Sequence, residues 1–288
     1  MKTTLALLGL ALLAGACATT GGRPGDPTSR LRPAAVDSVT VALYRFDETG
    51  GLPVADAGPF RLEGTAGIDT RTDFGQFGNA RRFGRSLDSF VLVPFNPLFN
   101  FNGSFSIDAW IYLDDYSLFD ATPIAARWTP LANQQSWFLG VAGYHQRGPI
   151  AGAVSGSLED IAGRGQPGQL VFAFQPEDAA PPRAFVSTRA VRRGRWTHVG
   201  ATYDGSVARL YVDGQLDTQA ATSGTVRPTD APLMIGNFFD TRWLGTFGGD
   251  LRIEQALDLE PYFALQGLID ELHISTGARP SFPSAEWR

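Results

Sequence analysis

Cysteine is almost absent from this chain of 288 residues, because Cys17 is the single example. No disulfide can therefore form within one copy of the chain. Lysine is equally scarce, with Lys2 alone, and the formal net charge is −5. A chain with this acidic balance lacks the broad basic surface that nucleic acids require, so no nucleic-acid partner is expected.

Long apolar runs and helical periodicity are also lacking. No stretch reaches the roughly 18 apolar residues of a membrane-spanning helix, and helical spacing is nearly confined to residues 254–258. Glycine and proline are abundant, with 33 and 19 residues. Both are typical of short strands joined by turns. The length suits one large all-β domain or two small ones.

The first residues of the chain have the features of an export signal. Lys2 precedes a short apolar stretch at 5–13, and the sequence AGAC follows at 14–17. The apolar stretch is too short to span a bilayer. Small residues before a lone cysteine resemble a bacterial lipoprotein signal, which implies cleavage before Cys17 and lipid on its side chain. An ordinary secretory signal, cut after Ala16, is the alternative.

The lipoprotein signal predicts the arrangement of the N-terminal region. Residues 1–16 are the signal peptide, and residues 17–37 are a lipidated cysteine and a flexible tether rich in Gly, Pro, Thr and Arg. Stable anchoring needs more than one acyl chain, such as palmitate. Ala18 in place of an aspartate favours, by the same resemblance, the outer membrane of a Gram-negative bacterium. The expected location is the cell envelope, with membrane contact only through the lipid.

The clearest folding signal is the segment 195–216, RWTHVGATYDGSVARLYVDGQL. Apolar residues alternate with polar or small ones on each side of Asp204-Gly205, as in a strand with one buried face. A second Asp-Gly pair, at 213–214, turns the chain again. Glycine adopts positive φ without steric cost, so both pairs favour tight turns. The segment predicts an antiparallel meander of three strands.

The same segment resembles the middle of a laminin G-like domain of the concanavalin A-like lectin/glucanase superfamily. Other pieces resemble this family in the expected order: YRFDE at 44–48, FGNARRF at 77–83, and GLIDELHI at 267–274. The resemblance implies an all-β, two-sheet antiparallel jelly-roll sandwich over residues 38–277, followed by a tail at 278–288. Two long insertions are expected, at 142–168 and 237–261.

Alternating apolar residues predict both the strands and the core of this sandwich. The most distinct strand is Phe105–Leu113, whose two faces are both largely apolar, which is typical of a central strand. Inward residues of both sheets should interdigitate into one core. The predicted core residues are Phe46, Phe83, Val91, Ile107, Ala109, Trp110, Val199, Leu210, Val212, Ile235, Leu268 and Ile274.

Catalysis is considered because the superfamily includes glycoside hydrolases. A retaining glycosidase needs two carboxyl groups about 5–5.5 Å apart. The Glu-x-Asp-x-Glu run of the glucanase branch does not occur in the sequence. The nearest candidates, Asp114-Asp115 and Asp270-Glu271, are adjacent pairs, and adjacent residues of a strand point to opposite faces. The sequence therefore predicts no catalytic residue and no enzyme activity.

Calcium is the expected ion, because carboxylate oxygens are its preferred ligands and the resemblance implies a bound Ca²⁺. The histidines His145, His198 and His273 lack metal-ligand spacing, and His198, within the Trp-Thr-His run, is expected to be structural. First and last strands often meet in such sandwiches, which would bring their carboxylates together. The alternative is that these residues form turns and surface charges. The candidate ligands are Asp47, Glu48, Asp56, Asp270 and Glu271.

Aromatic residues outside the predicted strands are the candidate ligand-binding residues. Aromatic faces stack on sugars and anchor protein partners. The alternative is that these rings cover the core beneath long loops. Arg242 beside Trp243 is the most favoured pair, since a guanidinium could bind hydroxyls or a carboxylate next to the ring. The candidates are Trp128, Tyr144, Phe238, Phe239, Arg242 and Trp243.

These features predict a non-catalytic, surface-anchored lipoprotein that binds a glycan, or an envelope or extracellular protein, through loops of a laminin G-like sandwich. Two alternatives stay open at this point. One is a hydrolase that acts on polysaccharide, and the other is a structural component of the envelope without a small ligand.

Overall fold

The computed structural model describes residues 31–118, 121–129, 133–144, 165–178, 180–239, 244–247, 250–253 and 264–283. Within these ranges no helix is long and apolar enough to cross a membrane. The predicted signal peptide, Cys17 and most of the predicted tether lie outside the described residues, as do Arg242, Trp243 and His145.

The described residues form strands, together with one short 3₁₀ segment at Pro97–Phe99. In chain order the strands are β1 (Thr40–Tyr44), β2 (Pro53–Val54), β3 (Gly64–Ala66), β4 (Arg71–Phe74), β5 (Asn79–Phe83), β6 (Val91–Val93), β7 (Phe105–Leu113), β8 (Ala121–Trp128), β9 (Gln135–Ala142), β10 (Gln169–Phe174), β11 (Arg183–Ala190), β12 (Trp196–Tyr203), β13 (Val207–Val212), β14 (Gln215–Ala221), β15 (Leu233–Ile235), β16 (Leu244–Phe247), β17 (Asp250–Ile253) and β18 (Gly267–Thr276).

Two antiparallel eight-stranded sheets contain all but two of these strands. Sheet A has the order β14-β13-β12-β7-β18-β5-β4, and β1 pairs with the second half of β18. Sheet B has the order β11-β10-β9-β8-β15-β6-β3-β2. Strands β16 and β17 pair only with each other. The predicted all-β, two-sheet sandwich is confirmed.

The predicted meander is present as β12, β13 and β14 in sheet A. Asp213 and Gly214 have φ of 51° and 68°, the two positive values that a tight hairpin turn requires. At the other turn the Asp204 carboxylate accepts hydrogen bonds from the backbone N–H groups of Ser206 and Val207. Residues in these turns therefore set the register of three neighbouring strands.

The main core lies between the two sheets. Odd-numbered residues of β7, from Phe105 to Leu113, point into it, and so do Leu139 of β9 and Phe172 of β10. All the predicted core residues are buried. Trp110 and Leu268, however, lie on the opposite side of sheet A, because they alternate with the inward residues of β7 and β18.

The outer face of sheet A is covered by segments from both ends of the described chain. Phe282 packs its ring against His198 and Tyr211, with centroid distances of 5.7 and 4.9 Å. On the N-terminal side, Glu271 accepts a hydrogen bond from the Ala34 N–H, and Arg45 donates one to the Ala34 carbonyl. The end of the predicted tether is thus bound to the sandwich and begins the domain before residue 38.

Strand β11 and the hairpin β16–β17 are the main differences from the predicted strands. No strand was predicted at 183–190, where the structure has β11. The hairpin lies within the predicted insertion 237–261, for which no strand was predicted. Short strands such as β2 and β3 were missed because two or three residues carry too little alternation to detect.

Candidate ligand-binding site

One end of the sandwich carries an exposed aromatic residue beside several charged side chains. We call this surface the tyrosine rim and define it by Arg85, residues 114–117, Tyr144, Gly168 and residues 191–193. These residues follow or precede β5, β7, β9, β10 and β11 at the same end of the two sheets. Loops at the end of a rigid sandwich are common positions for binding residues.

Tyr116 and Tyr144 form the aromatic part of this surface. Their ring centroids are 5.8 Å apart with an interplanar angle of 59°, and Tyr144 is 40% exposed. The Tyr116 hydroxyl donates a hydrogen bond to the Val191 carbonyl. Gly168 allows this position, because a Cβ on it would lie 2.7 Å from the Tyr116 ring. Tyr116 is therefore fixed and supports the more exposed Tyr144.

Asp115 links the two exposed arginines of the tyrosine rim. Its Oδ1 accepts a hydrogen bond of 2.7 Å from Arg193 and one from the Tyr116 N–H. Its Oδ2 lies 3.7 Å from Arg85 Nη2. The Arg193 guanidinium also lies over the Tyr116 ring, 5.2 Å from the centroid. Cation–π contact and ion pairing together orient Arg193 along the aromatic surface.

The protonation states at this surface follow from these contacts. Burial raises the pKa of Tyr116, and the nearby Arg193 opposes that rise. The hydrogen bond to Asp115 raises the pKa of Arg193. Tyr116 therefore stays neutral and Arg193 stays charged at neutral pH. The surface combines an apolar ring face with a fixed positive charge.

Three of the predicted ligand-binding aromatics are not available at the surface. Trp128 was expected in a loop but lies in β8, and Phe238 and Phe239 pack with it in a second apolar cluster. Their exposures are 0%, 1% and 2%. Phe239 makes an edge contact with Phe90 at 5.0 Å. The prediction that these three rings face a ligand is wrong, because they cover the outer face of sheet B.

The sequence matches a laminin G family model described as the concanavalin A-like lectin/glucanases superfamily, over residues 85–281. That range includes β6 to β18 and all of the tyrosine rim. The chain belongs to this superfamily. No curated protein matches the sequence.

Solved structures show the same fold at low sequence identity. The binding domain of Paraclostridial Mosquitocidal Protein 1 superposes with a TM-score of 0.55 and 12% identity, over 84% of this chain and 49% of that one. Domain 4 of AbnA, a GH43 extracellular arabinanase from Geobacillus stearothermophilus, in complex with arabinotriose, gives 0.51 and 17%, over 83% and 93%. The botulinum neurotoxin type G receptor-binding domain gives 0.54 and 10%, over 84% and 49%. This superfamily member thus spans about half the length of the toxin domains that it matches.

Most of the carboxylates predicted to bind calcium accept hydrogen bonds or form ion pairs with groups of the protein. Asp56 is buried and accepts hydrogen bonds from the N–H groups of Leu43, Gly58 and Leu62. Asp47 accepts one from the Asn79 N–H. In the part of the chain that the structure describes, no group of three or more His, Cys, Asp or Glu side chains is arranged to hold a metal ion. Calcium binding stays a prediction, without a site among these residues.

Glu48 and Glu271 also have hydrogen-bond and ion-pair partners within the protein. Glu271 receives two hydrogen bonds from one Arg45 nitrogen, at 2.8 and 3.1 Å. Glu48 accepts a hydrogen bond from the Ala55 N–H and lies 3.8 Å from Arg81. These contacts tie β1 to β18 and the β1–β2 loop to β5. Both carboxylates therefore have structural partners.

Asp270 differs from the other four carboxylates. Its Oδ2 accepts a hydrogen bond of 2.8 Å from the Phe77 N–H, whereas Oδ1 is buried and has no hydrogen-bond partner among the residues that the structure describes. Burial raises the pKa of Asp270 to about 8. The first residues of β18 pair with β5 and its later residues pair with β1, and Asp270 lies at the junction between the two pairings. A neutral acid at this junction avoids a buried, unpaired charge.

His198 also has a structural position, as predicted. Its Nε2 lies 3.2 Å from Asp108 Oδ2, and both side chains are buried. The rings of Trp110 and Phe282 pack against it on the outer face of sheet A.

Sequence analysis did not identify Tyr116, Arg193 or Asp115 as a group, because they come from segments about 80 residues apart.

Proposed function

We propose that this protein is a non-catalytic, lipid-anchored envelope protein that binds a glycan at the tyrosine rim. The observation that carries the proposal is the half-exposed Tyr144 ring, fixed by Tyr116 and flanked by Arg193. An aromatic face beside fixed hydrogen-bond donors is the usual combination for holding a sugar ring. Tyr144 is the one predicted aromatic candidate that the structure places at the surface among the described residues.

The solved structures support the same proposal at the level of the fold. One superposed domain was crystallised with arabinotriose, and another, the botulinum neurotoxin type C protein, enters cells through interaction with two ganglioside molecules. The fold of this chain is thus suited to present loops to a glycan.

We propose that the protein is not catalytic because its candidate carboxylates are either ion-paired or buried. Asp114 pairs with Arg82, and Asp115 pairs with Arg193 and Arg85. Asp270 and Glu271 are buried. A glycosidase needs two carboxyl groups that reach the same sugar bond, and these pairs do not offer that arrangement. Release of reducing ends from a bound polysaccharide would favour the hydrolase alternative instead.

Replacement of Tyr144 tests the binding site. The purified full-length protein and its Tyr144→Ala variant would be compared on an array of neutral and acidic polysaccharides. We expect the variant to lose at least about tenfold in affinity, because the exposed ring supplies the stacking surface. Phe60→Ala is a matched control, since Phe60 is 49% exposed on the β2–β3 loop at the opposite end of the sandwich. Unchanged binding by Tyr144→Ala would remove the tyrosine rim from the proposal.

The lipid anchor is proposed from the sequence around Cys17, which lies outside the described residues. Cys17→Ser should leave the protein without acyl chains and move it from the membrane fraction to the soluble fraction. Mass spectrometry of the mature N-terminus would show the modification directly. A wild-type N-terminus without acyl groups, together with membrane fractionation of the variant, would contradict the anchor.

A further inference from the structure

The tyrosine rim offers donors in excess of acceptors. Arg85 and Arg193 are 56% and 49% exposed, whereas the carboxylate between them, Asp115, is 35% exposed. Asp115 Oδ1 already accepts hydrogen bonds from the Tyr116 N–H and from Arg193, and Oδ2 faces Arg85 at 3.7 Å. A ligand that reaches Tyr144 therefore meets guanidinium N–H groups rather than a free carboxylate.

Both guanidinium groups keep unused hydrogen-bond donors. Arg193 uses one terminal nitrogen, Nη1, for Asp115. Arg85 uses Nε for the side chain of Gln266, and its nearest atom to Asp115 is beyond hydrogen-bond distance at 3.7 Å. Arg192 is exposed and has no ion pair among the residues that the structure describes. A guanidinium has five N–H donors in a planar fork that matches a carboxylate or sulfate.

We infer that the tyrosine rim selects an acidic sugar, one that carries a carboxylate or a sulfate ester. This inference rests on the proposed glycan binding and adds the charge of the ligand. The sugar ring stacks on Tyr144, and its acidic group accepts hydrogen bonds from Arg193 or Arg85. A neutral sugar offers only hydroxyl oxygens to these guanidinium groups, and those hydrogen bonds are weaker than the ones that a charged acid accepts.

Paired polymers with the same backbone test the inference. Polygalacturonate would be compared with its methyl ester, and a sulfated galactan with the desulfated polymer, by calorimetry on the full-length protein. We expect tighter binding of at least one charged member over its neutral partner by about tenfold or more, as a charge-assisted hydrogen bond provides. The pair that shows the preference identifies carboxylate or sulfate as the recognised group.

The Arg193→Gln variant tests whether the preference for the charged polymer arises at the tyrosine rim. It should lower the affinity for the charged polymer by a larger factor than the affinity for the neutral one, so that most of the preference is lost. Arg209→Gln is the matched control, because Arg209 is also a surface arginine with one aspartate partner, Asp204, on the β12–β13 hairpin. An equal loss in both variants would indicate general charge attraction and overturn the site.

The outcomes separate this inference from the proposed function. Equal affinity for both members of each pair, or no binding of either charged polymer, overturns the acidic-sugar inference. If Tyr144→Ala still abolishes binding of a neutral polymer, glycan binding at the tyrosine rim stands. If Tyr144→Ala leaves all binding unchanged, the proposed site is wrong, whatever the arginine variants do.

Discussion

Phe282 lies directly over Gly200 on the outer face of sheet A. A Cβ on Gly200 would be 3.1 Å from Cε2 of the Phe282 ring, and Phe282 is only 9% exposed. The absence of a side chain at residue 200 therefore makes room for the C-terminal segment. The ring in turn covers the buried pair His198 and Asp108.

Gly200→Val should detach this segment. The branched side chain cannot share the space with the Phe282 ring, so we expect a lower melting temperature and faster amide hydrogen exchange in residues 277–282. Gly103→Val is the control, because a Cβ there has no atom within 4 Å. Equal hydrogen exchange of this segment in the two variants would show that Phe282 does not hold the segment in place.

Gly214→Val should destabilise the protein by more than about 1 kcal/mol, since a β-branched residue is strained at positive φ. Gly214 has φ of 68°, and its added Cβ would lie 2.3 Å from the Pro283 carbonyl oxygen. Chemical denaturation measures the change. Gly103→Val again serves as the control. Gly165, in the predicted flexible insertion, is a poor control, because it is buried and its added Cβ would lie 2.8 Å from Ala142.

Asp270→Asn should make the protein more stable at alkaline pH. The pKa of Asp270 is raised to about 8 in the folded protein by burial, above the ordinary value near 4 of the unfolded chain. Its stabilising contribution is therefore complete below about pH 4 and is lost as the pH rises towards 8. Asparagine stays neutral throughout and can still accept the Phe77 hydrogen bond.

Melting temperatures measured at about pH 5 and pH 8 check this prediction. The variant should gain over the wild type by more at pH 8, by on the order of 1 kcal/mol or more. Asp178→Asn, at an exposed position, should show no such difference. A variant that is less stable than the wild type at pH 8 would mean that Asp270 is ionised and paired in the folded state.

Arg127→Met should be strongly destabilising, although methionine fits a buried position. Arg127 is fully buried and donates hydrogen bonds to the carbonyls of Ala231 and Thr229 and to the Asn100 side chain. Burial lowers its pKa to about 10, so it stays charged at neutral pH. Methionine leaves these acceptors unpaired, at a cost of about 2 kcal/mol or more. Arg71→Met, at an exposed edge position, should change the unfolding free energy little.

Local sequence patterns were sufficient to predict the long, regular strands of the sandwich. Phe105–Leu113 was predicted with its observed ends, and the segment 195–216 contains β12 and β13. Alternation of apolar residues and the Asp-Gly turns act between neighbours in the chain. The same local rules could not show which side of a sheet is covered, so Trp110 and Leu268 were correctly predicted as buried but not placed on the outer face.

The composition of the candidate site was decided by the tertiary structure. The sequence predicted Trp128 and Tyr144 equally as ligand-binding aromatics outside the strands, yet Trp128 is 0% exposed and Tyr144 is 40% exposed. The difference arises because β8 extends to Trp128, whose ring packs with residues from β9, β15 and the 238–239 segment. Likewise Asp115 meets Arg193 only because β7 and β12 are neighbours in sheet A. Exposure and ion pairing depend on contacts between distant segments, whereas the strands depend on residues close together in the chain.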